Sequence, residues 1–126
     1  MGIIKSAACK KCGLHKRLYI GSGMLGGNLD YIKTTLSEDV RIQLEQWLDT
    51  HEYQRCSNAN KLGKCEYCGN LDILNELRIA AADGEEFVYR KPCPLCKHEM
   101  AEVLTDVVLC PACNSVMELA ETGHWD

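Results

Sequence analysis

Bulky apolar material is scarce in this 126-residue chain, which carries one Phe, two Trp and five Tyr. A chain of this length with so few aromatic anchors does not fill a deep core by burial alone, so a large enzyme scaffold is excluded. Proline is also rare, at three residues, which rules out a proline-rich low-complexity segment. No apolar run approaches the roughly 18 residues of a membrane span. The opening Met1-Gly2-Ile3-Ile4-Lys5-Ser6 lacks the apolar block of a secretion signal. A soluble cytoplasmic protein without a membrane partner is therefore expected. Excess positive charge is missing too: the formal net charge is -4, which argues against a wholly basic nucleic-acid-binding surface. There is no His-Glu-x-x-His helix, P-loop or nucleophile elbow, and His15, His51, His98 and His124 are scattered. These absences point away from an enzyme.

Cysteine is what the chain has in excess. Eight of nine fall into four Cys-x-x-Cys units, Cys9/Cys12, Cys65/Cys68, Cys93/Cys96 and Cys110/Cys113, with Cys56 alone. Two cysteines three positions apart on a tight turn aim both sulfurs at one tetrahedral metal, so each unit is half a site. Gly13, Gly69 and Asn114 follow three of the units. These residue types tolerate a positive φ and let backbone N–H groups turn toward thiolates. Four thiolates suit zinc in a closed, structural shell; iron uses the same ligand set and is the alternative metal. Disulfide or redox use of four such pairs is unusual in a reducing compartment.

Thirteen residues separate Cys96 from Cys110, with two short apolar stretches around Thr105-Asp106 that fit a hairpin. Cys93-Pro94-Leu95-Cys96 and Cys110-Pro111-Ala112-Cys113 resemble the two Cys-Pro-x-Cys knuckles of the zinc-ribbon family. The resemblance implies that these four sulfurs hold one zinc, and it implies a fold rather than a job. Cys9, Cys12, Gly21, Gly23 and Met24 also resemble the opening of a group of small bacterial zinc-ribbon proteins, which implies no activity. Cys9, Cys12, Cys65 and Cys68 then form the other site across a 52-residue excursion, a length that loop-closure entropy tolerates. A competing scheme joins Cys65/Cys68 to Cys93/Cys96 through a hairpin of Leu71–Ile79 and Glu86–Lys91, and pairs the first knuckle with the last. Either scheme uses two metal ions.

Residues 1–29 carry Lys5, Lys10, Lys11, Lys16 and Arg17 and no acid, whereas Glu99 onward carries six acids and no Lys or Arg. Ile3 and Ile4 suggest an N-terminal strand, and His15 to Ile20 a strand leaving the first knuckle. Gly21-Ser22-Gly23-Met24-Leu25-Gly26 satisfies the letters of a dinucleotide fingerprint but lacks the strand–helix–strand setting that gives those glycines their purpose, so it reads as a loop. Ser37 as N-cap, acidic Glu38 and Asp39, and the stripe Leu36, Val40, Leu44, Trp47 and Leu48 predict one amphipathic helix over about 37–51. Residues 51–60, including Cys56, read as a polar linker.

The sequence therefore predicts a small metal-stabilised α+β protein: two zinc ribbons of short antiparallel hairpins with one helix. The expected division is 1–70, holding the first knuckles and the helix, and 71–126, holding a hairpin and the C-terminal ribbon. The function expected is a non-enzymatic adaptor that contacts another protein through the helix stripe or a ribbon edge. The alternatives are a nucleic-acid-associated ribbon whose Lys10, Lys11, Lys16 and Arg17 contact phosphates, and thiol redox chemistry by one cysteine pair. The structural alternative for those four cations is neutralisation of their own thiolate centre.

Overall fold

Each of the four Cys-x-x-Cys turns lies between two strands. In the computed structural model, which describes residues 2–22 and 27–125, β1 (Gly2–Ala8) turns into β2 (His15–Gly21), and β3 (Tyr53–Cys65) into β4 (Leu71–Ala81). The third knuckle links β5 (Glu86–Arg90) to β6 (Met100–Glu102), and the fourth links β7 (Val107–Leu109) to β8 (Val116–Trp125). Between β2 and β3 lie α1 (Leu29–Thr35) and α2 (Glu38–Thr50). Of the fingerprint-like segment, Gly23, Met24, Leu25 and Gly26 fall outside the described residues.

The strands join into one curled antiparallel sheet of order β5-β4-β3-β2-β1-β8-β7, rather than separate short hairpins. The β2–β3 seam holds at a single pair, Gly21↔Asn60; beyond it β6 lies beside β3, with Gly63↔Glu102 and Cys65↔Met100. The hairpin expected between Cys96 and Cys110 is thus absent. Its first apolar stretch pairs with β3, and its second with β8 through Val108↔Met117. The reason is packing. Met100 is buried in the cluster of Leu74, Cys65 and Cys93, over Gly63, where a Cβ would lie 2.7 Å from Leu74 and 3.1 Å from Met100. The 70/71 boundary falls in the β3–β4 turn, flanked by the pairs Lys64↔Leu71 and Gly63↔Asp72.

Helix formation here is local, and its burial is not. Asn28 caps α1 by accepting the Tyr31 N–H at 3.0 Å. Ser37 occupies the N-cap of α2, but its hydroxyl makes no capping bond. Both helices pack on β4 and β5: Ile32 and Leu44 meet Leu77 and Ile79, with Leu36, Trp47, Leu48 and Phe87 around them. Trp47 lies 5.9 Å from Phe87 and stacks on His51 at 4.3 Å. Leu36, Leu44, Trp47 and Leu48 of the stripe are therefore turned onto the chain's own sheet, correcting their reading as a partner face, and Val40 is buried outside that cluster. Together with Leu29 and Ile32 of α1, these four cover the apolar strand residues Leu77 and Ile79.

Of the expected linker 51–60, His51 is the C-cap of α2 and residues 53–60 are instead the first part of β3, paired to β4 from Tyr53↔Ala81 onward. Its residues are polar because one face is exposed. Pairing with β4 and contacts such as Asn75 Nδ2 to Asn60 Oδ1 at 2.8 Å hold it as a strand, since strand formation depends on neighbours more than on intrinsic preference. On the face away from the helices, buried Glu76 accepts from Arg90 Nε at 2.7 Å and faces Lys61 at 3.2 Å and Arg78 at 3.5 Å. Burial alone would raise its carboxyl pKa, but these hydrogen bonds and charges outweigh it and hold the group below its ordinary value. The basic N-terminal and acidic C-terminal segments meet where Lys5 pairs with Asp106.

Candidate metal centres

One local geometry is built four times. In each knuckle the first cysteine N–H donates to the carbonyl five residues on: Cys9 to Leu14, Cys65 to Asn70, Cys93 to His98 and Cys110 to Ser115, at 2.7–2.9 Å. The first cysteine's own carbonyl accepts the N–H of the residue four on, which is Gly13, Gly69, Lys97 or Asn114 at 2.8–2.9 Å. Those four residues have φ of 81°, 77°, 65° and 61°. The left-handed turn frees the next N–H groups to point at sulfur. Sequence reading finds three of these turn residues and misses Lys97, since lysine carries no turn signal.

The knuckles meet in two clusters. Cys9, Cys12, Cys110 and Cys113 form centre A, and Cys65, Cys68, Cys93 and Cys96 form centre B, each with all four sulfurs within 4.8 Å of one another. The preferred sequence pairing, Cys9/Cys12 with Cys65/Cys68 and Cys93/Cys96 with Cys110/Cys113, is thereby corrected to the competing one. Sheet topology is the cause. β1 lies beside β8, which brings the first and fourth knuckles together, while β5 lies beside β4 and β6 beside β3, which brings the third knuckle to the second.

The donor set fits a tetrahedral divalent ion. Contacts of 3.5 Å join Cys9 to Cys113 and Cys12 to Cys110, and contacts of 3.3 and 3.6 Å join Cys65 to Cys96 and Cys68 to Cys93. A zinc tetrathiolate with bonds of about 2.3 Å has sulfurs about 3.8 Å apart. Every one of these contacts is between knuckles, and all nine cysteines are free thiols. A Cys-x-x-Cys redox pair would instead close within one knuckle. The first cysteine of each knuckle is buried and the second lies nearer the surface.

The thiols of the two clusters are divided in acidity. Cys9 is held below its ordinary value chiefly by the Cys12 N–H, and Cys65 chiefly by the Cys68 N–H. Burial opposes ionisation of Cys93, but the N–H groups of Cys96 and Leu95 win and bring it to about 6. The Ser115 hydroxyl and N–H bring Cys113 to about 6. Cys12 accepts the Leu14 N–H, yet neighbouring Cys110 and Cys9 push it up to about 12. Cys96 accepts the His98 N–H, yet burial and the other three thiols push it up to about 12. Thiols this close cannot all ionise unaided, and a divalent cation among them removes the conflict.

Around the sulfurs, Asn70 Nδ2 donates to Cys93 Sγ at 3.8 Å, and Lys16 Nζ donates to Asn70 Oδ1 at 3.0 Å and to the Leu71 carbonyl at 2.6 Å. Half-buried Lys16 is thus engaged in hydrogen bonds within the molecule. Lys10, Lys11 and Arg17 are exposed. His98 is no ligand: it stacks on Tyr67 at 3.8 Å. Cys56 stands apart from both clusters, its thiol donating to the Gly27 carbonyl at 3.2 Å, with burial raising its pKa. Sequence reading misses Ser115, which acts within its own knuckle, and Asn70, whose role depends on Cys93 and Lys16 far away in the chain.

A four-thiolate centre around a divalent ion is closed, leaving no position for water or substrate, which marks a structural metal-site class rather than a catalytic one. No family model, no curated protein and no solved structure matches this chain.

Proposed function

We propose that this chain is a non-enzymatic binding module whose fold is held by two structural zinc ions and which serves as an adaptor for another protein. The observation that carries the metal assignment is the gathering of all eight knuckle cysteines into two four-sulfur sets within 4.8 Å. Elemental analysis of the reduced native protein should return two zinc ions per chain, with X-ray absorption giving four sulfurs at about 2.3 Å around each. Chelation should abolish the near-ultraviolet circular dichroism of packed side chains. Iron in place of zinc, or a fold unchanged by chelation, overturns the reading.

The adaptor role is supported by apolar exposure at the β7 edge. Leu109 and Val116 are directly paired across strands, and with Val107 they are 46–69% exposed, while nearby Leu104 is 88% exposed. Edge strands with apolar side chains are poised to pair with another chain. A photo-crosslinker at Val116 should give polypeptide adducts in cells; nucleic-acid adducts or none would overturn this part.

The nucleic-acid reading keeps one specific support. Period-two alternation along β2 puts His15, Arg17 and Tyr19 on one exposed face, with Tyr19 edge-on to Trp125 at 5.9 Å and Lys10 and Lys11 at the knuckle tip. Under this reading single-stranded RNA binds at low salt and is lost on charge reversal at Lys10, Lys11 and Arg17; no binding at low salt removes it.

A further inference from the structure

The two centres are tied together by a pair of crossed lysines. Lys16 sits on β2, four residues after Cys12 of centre A, yet both of its hydrogen bonds go to centre B's hairpin, to Asn70 Oδ1 and the Leu71 carbonyl. Asn70 is 5% exposed. Its amide oxygen accepts from Lys16, and its amide N–H donates a hydrogen bond to Cys93 Sγ. Its backbone carbonyl takes the Cys65 N–H at 2.8 Å. The reverse arm is Lys64, immediately before Cys65 of centre B, whose ammonium donates at 3.1 Å to the carbonyl of Leu109, immediately before Cys110 of centre A.

Each loaded centre would carry a net charge of about -2, from four thiolates and one divalent ion. Each cation is thus delivered to one centre by the hairpin that the other centre closes. Centre A anchors the knuckle end of β2, where Lys16 pairs with Ala7 of β1; a loosened knuckle there would cost the buried Asn70 oxygen its partner and the Cys93 thiolate a polarised donor. A buried acceptor left without its partner is costly, and amide donors to metal-bound sulfur tune affinity.

We propose that Lys16, Asn70 and Lys64 couple the two centres, so that filling one raises the affinity of the other for its ion. The proposal rests on the two-metal reading above. Coupling of this kind is reciprocal, and a factor of about ten falls within its usual range. At half saturation, two equal independent sites leave about half the molecules singly loaded, whereas tenfold coupling leaves about a quarter.

The test is native mass spectrometry of the reduced, metal-free full chain titrated with Co2+, with thiolate-to-cobalt absorption confirming ligation. Wild type should pass mainly from empty to doubly loaded. Lys16→Met and Lys64→Met should still take up two ions, but with the singly loaded species rising toward half or more, while Lys16→Arg keeps the wild-type distribution. The same distribution in wild type and both methionine variants overturns the coupling and leaves the two-metal reading intact. A titration that never reaches two thiolate-bound ions overturns that reading itself. Should Lys16→Met bind no ion, Lys64→Met, which removes only the reverse arm, decides the question alone.

Discussion

Among single residues, the knuckle turns offer the cleanest comparison, because four chemically similar turns carry different residues at the same left-handed position. Lys97 has φ 65° and Gly69 φ 77°, and a Cβ added at Gly69 would meet nothing within 4 Å. Only the backbone conformation is at stake. A non-glycine residue there pays about 1–2 kcal/mol, offset by about 0.4–1 kcal/mol because it has less freedom to lose on folding. Lys97→Gly should therefore raise the urea midpoint of the metal-loaded protein by about 0.5 kcal/mol equivalent, and Gly69→Ala should lower it by about as much. Asn114 tolerates this conformation better than lysine, so Asn114→Gly should change less than Lys97→Gly. Glu76 poses a different problem, that of a buried carboxylate facing Lys61, Arg78 and Arg90. Glu76→Gln should cost about 1–3 kcal/mol at neutral pH. Because the carboxyl pKa is depressed in the folded state, its contribution is fully present above the ordinary value of 4.5 and is lost only as pH falls through the lower folded value. The stability gap between wild type and Glu76→Gln should thus stay flat from pH 7 to pH 5; a gap that closes in that interval contradicts the depressed carboxyl.

Elements whose identity is written in a few adjacent residues are legible in this sequence, and those that depend on a distant neighbour are not. The knuckles, the β2 strand after the first of them, the Ala82-Asp83-Gly84 turn and the α2 helix all follow from local chemistry. That turn closes β4 to β5 with Gly84 at φ 90° and Asp83 accepting the Glu85 N–H at 2.9 Å. By contrast, β6 and β7 have only three residues each, and which strand claims them is decided by Met100 against Leu74 and by Val108 in the Met117–Leu119 cluster. The polar half of β3 reads as linker because its partner β4 supplies most of the apolar residues. The stripe of α2 is legible as a stripe, but not its destination. Leu44 is fully buried, so Leu44→Ala should cost about 2–4 kcal/mol while two metal ions remain bound. Unchanged stability on calorimetry would return the stripe to the role of a docking face.

At the scale of the whole molecule, the knuckle pairing turns on how little loop length matters. The sequence preference for short closures leaves 52 residues between Cys12 and Cys65 and 13 between Cys96 and Cys110; the structure closes 97 between Cys12 and Cys110 and 24 between Cys68 and Cys93. Each change is less than one doubling, so the two together cost only about 1 kcal/mol. The β1–β8 pairs from Gly2↔Trp125 to Ala7↔Leu119 outweigh this, reinforced by the Trp125 indole N–H on the Ile20 carbonyl at 2.9 Å. Strand residues 112 to 123 positions apart, Ala7 with Leu119 and Gly2 with Trp125, thus set which sulfurs share an ion. Removing whole knuckles tests this directly. At saturating zinc, Cys9→Ser with Cys12→Ser should lose one ion, and adding Cys110→Ser with Cys113→Ser should lose no further ion, because all four belong to centre A. Adding Cys65→Ser with Cys68→Ser instead should leave no ion bound. The opposite pattern, with the second combination keeping one ion and the first keeping none, would restore the short-loop pairing and with it two independent ribbons.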